Sequence, residues 1–301
     1  MKISLQVLAF NVDRTLNIML QNASPHVDKI FIAYPKRAWN YSKDNTKKLN
    51  PTKLDYINME LPCDVDIVHG DWEKDEDTRN ELLEISKLER FDWMIIQDAD
   101  EFYTSESWEI LIRSLKNPVS LMYDCVKTPY FTFWKSPSYV LHHHQEGIKN
   151  GITTFAVNCR KEQIYFLYSR TTTARDVMFL DMPCYHYSYV LDDNECKVKI
   201  NTWTHAGDLI SKTLWYEIKW KRWHETSKFL HPGSPWMWDK AVRFPLPQPS
   251  FAIEIRAAQH SQKDLGIFWS CMESIYDIYS RCRQAINGLK RLIRASISGP
   301  G

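Results

Sequence analysis

Phe91-Asp92-Trp93-Met94-Ile95-Ile96-Gln97-Asp98-Ala99-Asp100-Glu101-Phe102-Tyr103 is the stretch whose reading decides the fold. A run of bulky apolar residues ends in three carboxylates within four positions. Trp93 to Ile96 reads as a strand buried on both faces, as in a parallel sheet. A buried strand does not end in clustered negative charge without reason, because like charges side by side repel and must stay solvated or meet a cation. The economical explanation is a divalent metal at the C-terminal end of a central strand, where open α/β sheets bind ligands.

The residues on either side support an α/β sheet. Ile3 to Phe10 reads as a strand broken by Asn11-Val12-Asp13-Arg14, and Leu16, Met19, Leu20 and Ala23 follow at helical spacing up to Pro25. Lys29 to Tyr34 and Val65 to His69 are further strands, separated by a polar loop rich in Lys and Asn. Asp77 or Thr78 caps a helix through Leu82, Leu83, Ile85 and Leu88. Ser105 or Ser107 opens another through Trp108, Leu111 and Leu115. Strand and helix in alternation predict a mostly parallel central sheet flanked by helices over residues 1–120. Neither G-x-G-x-x-G nor G-x-x-x-x-G-K-[ST] occurs, so bound phosphates would depend on metal and side chains.

From Val119 the pattern changes. Leu121 to Phe133, Ile152 to Asn158, Gln163 to Tyr168 and Asp181 to Val190 read as strands, and Asp192 or Asp193 caps a helix carrying Lys197 and Lys199. Residues 121–205 are therefore an α+β half built on the first. Residues 206–301 read as helical and Trp-rich, with an extended Pro-rich piece over 232–249. The last element, about 267–295, is amphipathic, with Ile275, Ile278, Tyr279, Cys282, Ile286, Leu289 and Ile293 as its stripe. It is basic after Asp277, which makes it a candidate for peripheral membrane contact, with docking on the core as the plainer expectation.

The composition is globular, at 25% charged and 44% hydrophobic, and a formal net charge of +1 gives no global case for nucleic-acid binding. The seven Cys have irregular spacing and no C-x-x-C, which predicts reduced thiols and a cytoplasmic setting. No run reaches the ~18 to 20 apolar residues of a membrane span.

The first ~120 residues look like the nucleotide-sugar-binding half of a GT-A glycosyltransferase of the family 2 type. The likeness is carried by Phe10-Asn11, Thr78-Arg79-Asn80 and Trp93 to Phe102. Tyr185-His186-Tyr187-Ser188-Tyr189-Val190 with Lys197 and Lys199 is similar to the "H-[FYW]-S-[YW]-V … K" ending of such enzymes. The resemblance spans residues 3 to 205. It implies transfer of a hexosyl or pentosyl group from a nucleoside diphosphate sugar, first of all a UDP-sugar, to a hydroxyl acceptor. It also implies inversion and a Mn²⁺ or Mg²⁺ ion on the diphosphate. Asp100 would be a direct metal ligand, Asp98 would sit near ribose and metal, and His186 would be a third ligand. Phe10, Asn11, Arg79 and Lys199 would bind the donor. The acid that commonly ends the second strand is replaced by Tyr34, whose ring could stack on the base instead.

An inverting transferase needs a general base. Asp176 is the first candidate, then Asp181 and Glu146. Each has an ordinary surface role as its alternative. His142-His143-His144 offers no i, i+4 pair and makes a poor metal site. Trp215, Trp220 and Trp223 read as packing, while Trp236-Met237-Trp238 suits an acceptor. Glycans, lipid-linked sugars and other hydroxyl acceptors stay open, and a nucleic-acid acceptor is not favoured. Two rivals are a sugar-phosphate nucleotidyltransferase, disfavoured because residues 11–14 carry no Gly, and a carbohydrate- or nucleic-acid-binding protein without catalysis.

Overall fold

The structure is a computed structural model, and it describes all residues except 40–47, 55–59, 203–211, 233–234, 236, 256–265 and 298–301. The first half runs β1 (Ile3–Leu8), α1 (Leu16–Ala23), β2 (Lys29–Pro35), β3 (Asp64–Gly70), α2 (Asp75–Leu88), β4 (Trp93–Ile96), β5 (Glu101–Phe102) and α3 (Ser105–Lys116). The second half runs β6 (Cys125–Trp134), β7 (Ser136–His143), β8 (Asn150–Asn158), β9 (Phe166–Tyr168), β10 (Thr171–Thr172), β11 (Val177–Phe179), β12 (Cys184–Tyr189) and α4 (Asp193–Thr202). Then follow α5 (Lys212–Trp215), a π-helical turn (Tyr216–Trp220), β13 (Trp238–Arg243), α6 (Phe251–Glu254) and α7 (Ile267–Ile297).

The α/β class expected from the sequence is the class observed. One large sheet has the order β13-β7-β6-β8-β4-β1-β2-β3. Its β3-β2-β1-β4 part is wholly parallel, with Leu5 of β1 between Ile30 of β2 and Ile95 of β4. From β8 outward the main path is antiparallel, β8 lying between β4 and β6. The two halves therefore share a sheet. Helices cover it, and β4 is dry on both sides: Trp93, Met94, Ile95 and Ile96 are all fully buried. Trp93 and Ile95 join one apolar cluster, Met94 and Ile96 the cluster on the opposite face. That alternation is the period-2 geometry of a strand.

Three local expectations shift. Leu121 and Met122 belong to a 3₁₀ turn (Pro118–Met122), and the strand begins only at Cys125. The strand expected from Gln163 is shortened to Phe166–Tyr168. The Pro-rich piece of the C-terminal region contributes an edge strand, β13, paired antiparallel with β7. A third cluster beneath it contains Trp134, Trp215 and Trp220, which accounts for those tryptophans as packing. All seven cysteines are free. Among the described residues no helix is long and apolar enough to cross a membrane.

Truncating Ile95 tests the central strand. Ile95→Ala removes fully buried methyl groups from the sheet centre, and the expected loss is about 2–5 kcal/mol of unfolding free energy by chemical denaturation.

Candidate functional site

The turn after β4 builds the site. β4 ends at Ile96, opposite Gln6 of β1, and after the Gln97 N–H donates to the Gln6 carbonyl at 3.2 Å the backbone leaves the ladder. Glu101 repairs this locally: its backbone N–H donates to the Asp98 carbonyl at 3.0 Å, and its carboxylate accepts from the Asp98 N–H at 3.1 Å. The buried Gln97 side chain donates to the Glu101 carbonyl at 2.7 Å. This ties Glu101 down while Asp98 and Asp100 turn towards a cavity of about 570 Å³.

Distant segments reach the same point. β12 docks antiparallel on β5 with His186 opposite Glu101, and the Tyr187 N–H donates to the Asp100 carbonyl at 2.8 Å. His186 is thereby set beside Asp100, with Nε2 3.6 Å from Oδ1. Lys199 arrives from α4. Its Nζ lies 3.0 Å from Asp100 Oδ2 and 2.8 Å from the Ser188 hydroxyl. Arg79 of α2 donates to Asp98 Oδ1 at 3.1 Å. Arg170, in the turn between β9 and β10, lies 2.8 Å from Asp98 Oδ2, donates to Glu101 Oε2 at 2.7 Å and donates to the Thr153 hydroxyl at 3.1 Å.

Three carboxylates are thus interleaved with three permanent cations, and the electrostatics follow. Burial pushes Asp98 up, but Arg170 and Arg79 outweigh it and hold it at about 2. Burial also pushes Asp100 up, and Lys199 and His186 overcome this, keeping it well below the usual carboxylate range. Glu101 goes the other way: burial raises it against the pull of Arg170, and the Asp98 charge adds to the rise.

Phe10, Asn11, Arg79, Asp98, Asp100, His186 and Lys199 all line the cavity, so it collects most of the residues singled out from the sequence. Asn11 adopts φ +57°, a left-handed conformation that Asn tolerates, and this turns the chain sharply at the end of β1. Tyr34 does not line the cavity. Its hydroxyl donates to the Thr52 carbonyl at 2.9 Å and its ring meets His69 edge-on. Phe10 and Trp39, 5.8 Å apart, supply the aromatic wall there instead.

Asp176 and Asp181 are not brought to the cavity either. Asp176 is exposed beside β11, where its backbone carbonyl accepts from the Asp124 N–H at 2.7 Å. Asp181 is exposed and paired with Lys149 at 2.7 Å. Glu146 is exposed and accepts from the Gly151 N–H at 2.8 Å. The triple-His segment is structural: the buried His143 Nδ1 accepts from the Gln145 and Glu146 N–H groups, and His144 Nδ1 lies 3.0 Å from the Met237 carbonyl. Trp238 does line the cavity, stacked on His231 at 4.2 Å, while Trp236 lies outside the described residues.

Sequence reasoning missed Arg170, Trp39 and His231. Arg170 stands in a polar loop with no periodic or motif signal, and only the fold carries it to Asp98. Arg14, in the sequence only part of a strand-breaking run, has a larger role in the fold. It bridges the halves by donating to Glu195 at 2.9 Å and to the Val190 carbonyl.

Among the described residues no three His, Cys, Asp or Glu side chains converge as a metal cluster. Both oxygens of Asp98 are held by arginines, so Asp98 would enter a metal shell only by releasing one of them. Asp100 and His186 are the carboxylate and imidazole on the cavity that could hold a divalent ion, with Asp100 Oδ1 3.6 Å from His186 Nε2 and Oδ2 already paired with Lys199. Mg²⁺ and Mn²⁺ accept such partial protein shells, completed by water and phosphate oxygens.

No protein-family model and no curated protein sequence matches the chain. Solved structures similar to it include 4-diphosphocytidyl-2C-methyl-D-erythritol synthase from Anaerococcus prevotii, at 13% identity and TM-score 0.36, covering 62% of this chain and 88% of that one. S. aureus TarS 1–349 in complex with UDP-GlcNAc is similar at 9% identity and TM-score 0.37, covering 74% and 72%. HddC from Yersinia pseudotuberculosis stands at 9% identity and TM-score 0.32, covering 61% and 92%. At such distances these likenesses carry no chemistry across to this chain.

Arg170 is the residue to remove. Arg170→Met leaves Glu101, 3% exposed, with an uncompensated buried charge. The expected loss is about 3–5 kcal/mol in chemical denaturation, largely recovered when Glu101→Gln is added. A pH effect follows from Asp98. Its folded value of about 2 lies below the ordinary 3.8. The stability it contributes is complete above about pH 4 and is lost as pH falls through about 2. Acid unfolding of Arg170→Met, followed by Trp fluorescence, is expected to begin at higher pH than in wild type.

Proposed function

We propose that the chain is a transferase that moves a sugar from a nucleoside diphosphate donor to a hydroxyl acceptor. The observation that carries this reading is the convergence of Asp98, Asp100, His186, Arg79, Arg170 and Lys199 on one cavity at the C-terminal ends of β1 and β4. This is where parallel α/β sheets bind ligands. Mixed charge there suits a diphosphate, whose oxygens need cationic partners, better than an uncharged glycan.

Each residue has a role that its position supports. Phe10 and Trp39 form an aromatic wall at one end, fit to receive a base. Arg79 is 2% exposed; its Nε lies 3.7 Å from the Asp75 carboxylate, and its Nη1 has no hydrogen-bond partner in the protein. Buried donors of that kind favour a ligand oxygen, because leaving them unpaired costs about 1–3 kcal/mol. Lys199 and Arg170 lie where the two phosphates would pass and offer ammonium and guanidinium groups to them. Asp100 and His186 would hold a divalent ion, which supplies charge neutralisation to the diphosphate as it leaves. Trp238 and His231, stacked together and also lining the cavity, are suited to an acceptor ring. The sequence candidates for the base, Asp176 and Asp181, stay outside, so the proposal assigns them no proton transfer.

Thermal shift with UDP-, GDP- and TDP-sugars, with and without Mn²⁺, tests the reading. One nucleotide is expected to stabilise the protein, more strongly with Mn²⁺. Asp100→Asn and His186→Ala are expected to lose the Mn²⁺-dependent part and keep a folded baseline. No shift with any nucleotide, with Asp100→Asn indistinguishable from wild type, would sink the proposal.

A further inference from the structure

Amphipathic helices normally bury their apolar stripe. In α7 the arrangement is reversed. The face turned to the body of the protein carries Glu273, Tyr276, Asp277 and Ser280. Lys219 of the π-helical turn, wholly buried, lies 2.8 Å from Glu273 and 2.6 Å from Asp277, with its Nζ 5.4 Å from the centre of the Tyr276 ring. Arg222 stacks 4.1 Å from the centre of the Trp269 ring. A buried ammonium between two carboxylates fixes the rotation of the helix, since turning it away would leave Lys219 charged and unpaired.

That rotation points the apolar stripe outward. Phe268, Ile275, Ile278 and Ile286 are 65%, 59%, 63% and 49% exposed, and Cys271 and Cys282 are exposed between them. The spacing of 268, 271, 275, 278 and 282 is three and four in alternation, so the residues form one continuous seam along the helix. Beyond Asp277 the sequence carries Arg281, Arg283, Lys290, Arg291 and Arg294 and no acid.

We infer that α7 is an interfacial helix that lays this seam on an anionic lipid surface. Charge chooses the occupant. A second copy of the chain would bring the same basic run against the seam, and the only acids of α7, Glu273 and Asp277, are already engaged by Lys219. A negatively charged bilayer matches both features at once: apolar side chains enter the acyl boundary while Lys and Arg meet the headgroups. No described helix is long and apolar enough to cross a membrane, which fits a helix lying in the interface plane. This inference goes beyond the transferase reading and does not depend on it.

Co-sedimentation of the full chain with vesicles tests it. Wild type is expected to pellet with vesicles of phosphatidylcholine containing about one-third phosphatidylserine, and not with phosphatidylcholine alone. Raising the salt from ~0.1 M to ~0.5 M is expected to release it. The double variant Ile275→Glu/Ile278→Glu is expected to bind at least about tenfold more weakly. Both positions face outward, so its melting transition and circular dichroism are expected to match wild type. Wild type staying in the supernatant with anionic vesicles overturns the inference, as does unchanged binding by the folded double variant. So does a dimer in light scattering that the double variant converts to monomer while vesicle binding is unaltered, because the seam would then belong to a second copy.

Discussion

Three carboxylates within four residues repel one another unless cations stand between them, and the architecture around β4 is arranged to supply those cations. Arg79 comes from the helix that precedes the strand. Arg170 comes from a turn some seventy residues later, and Lys199 from a helix a hundred residues on. Asp98, Asp100 and the 3% exposed Glu101 all line one cavity. Removing any one cation would leave charge without a partner at low local dielectric, so the site and the fold near it stand or fall together.

This balance also governs what the cavity can accept. With its own charges paired, it has no strong surplus of either sign for a lone ion. A diphosphate and a divalent cation arriving together add little net charge and find complementary groups on both sides. In the proposed reading the Asp100–His186 pair would offer ligands to the cation, and Lys199 and Arg170 would offer donors to the phosphates. The buried Arg79 Nη1, without a hydrogen-bond partner in the protein, is the donor that the proposed reading offers to a ligand oxygen.

The same physics acts at the C-terminus with a different outcome. Lys219 inside the body recruits Glu273 and Asp277, and this decides which face of α7 is buried. Amphipathic periodicity alone reads α7 as a helix that packs its isoleucines. One buried ammonium reverses that orientation and leaves the isoleucines facing out.

What the sequence determined by itself is local and periodic. The apolar run of β4, the alternation of strands and helices and the Asp98-Ala99-Asp100 turn were legible because buried strands and strand-end acids leave signatures in short windows, whereas His186 and Lys199 were singled out only through the family resemblance. The tertiary structure decided everything that depends on long-range approach. Arg170 has no local signature and gains its meaning only where the β9–β10 turn meets Asp98. Tyr34, expected to stack on a base, is drawn away by the Thr52 carbonyl and His69. Asp176 and Asp181, plausible by spacing, stay away from the cavity, Asp176 with its backbone on Asp124 and Asp181 paired with Lys149, because chain distance from a motif says nothing about where a loop returns. Rotation of a helix and choice of partner for a buried charge are settled by packing between distant segments, and no window of sequence contains both.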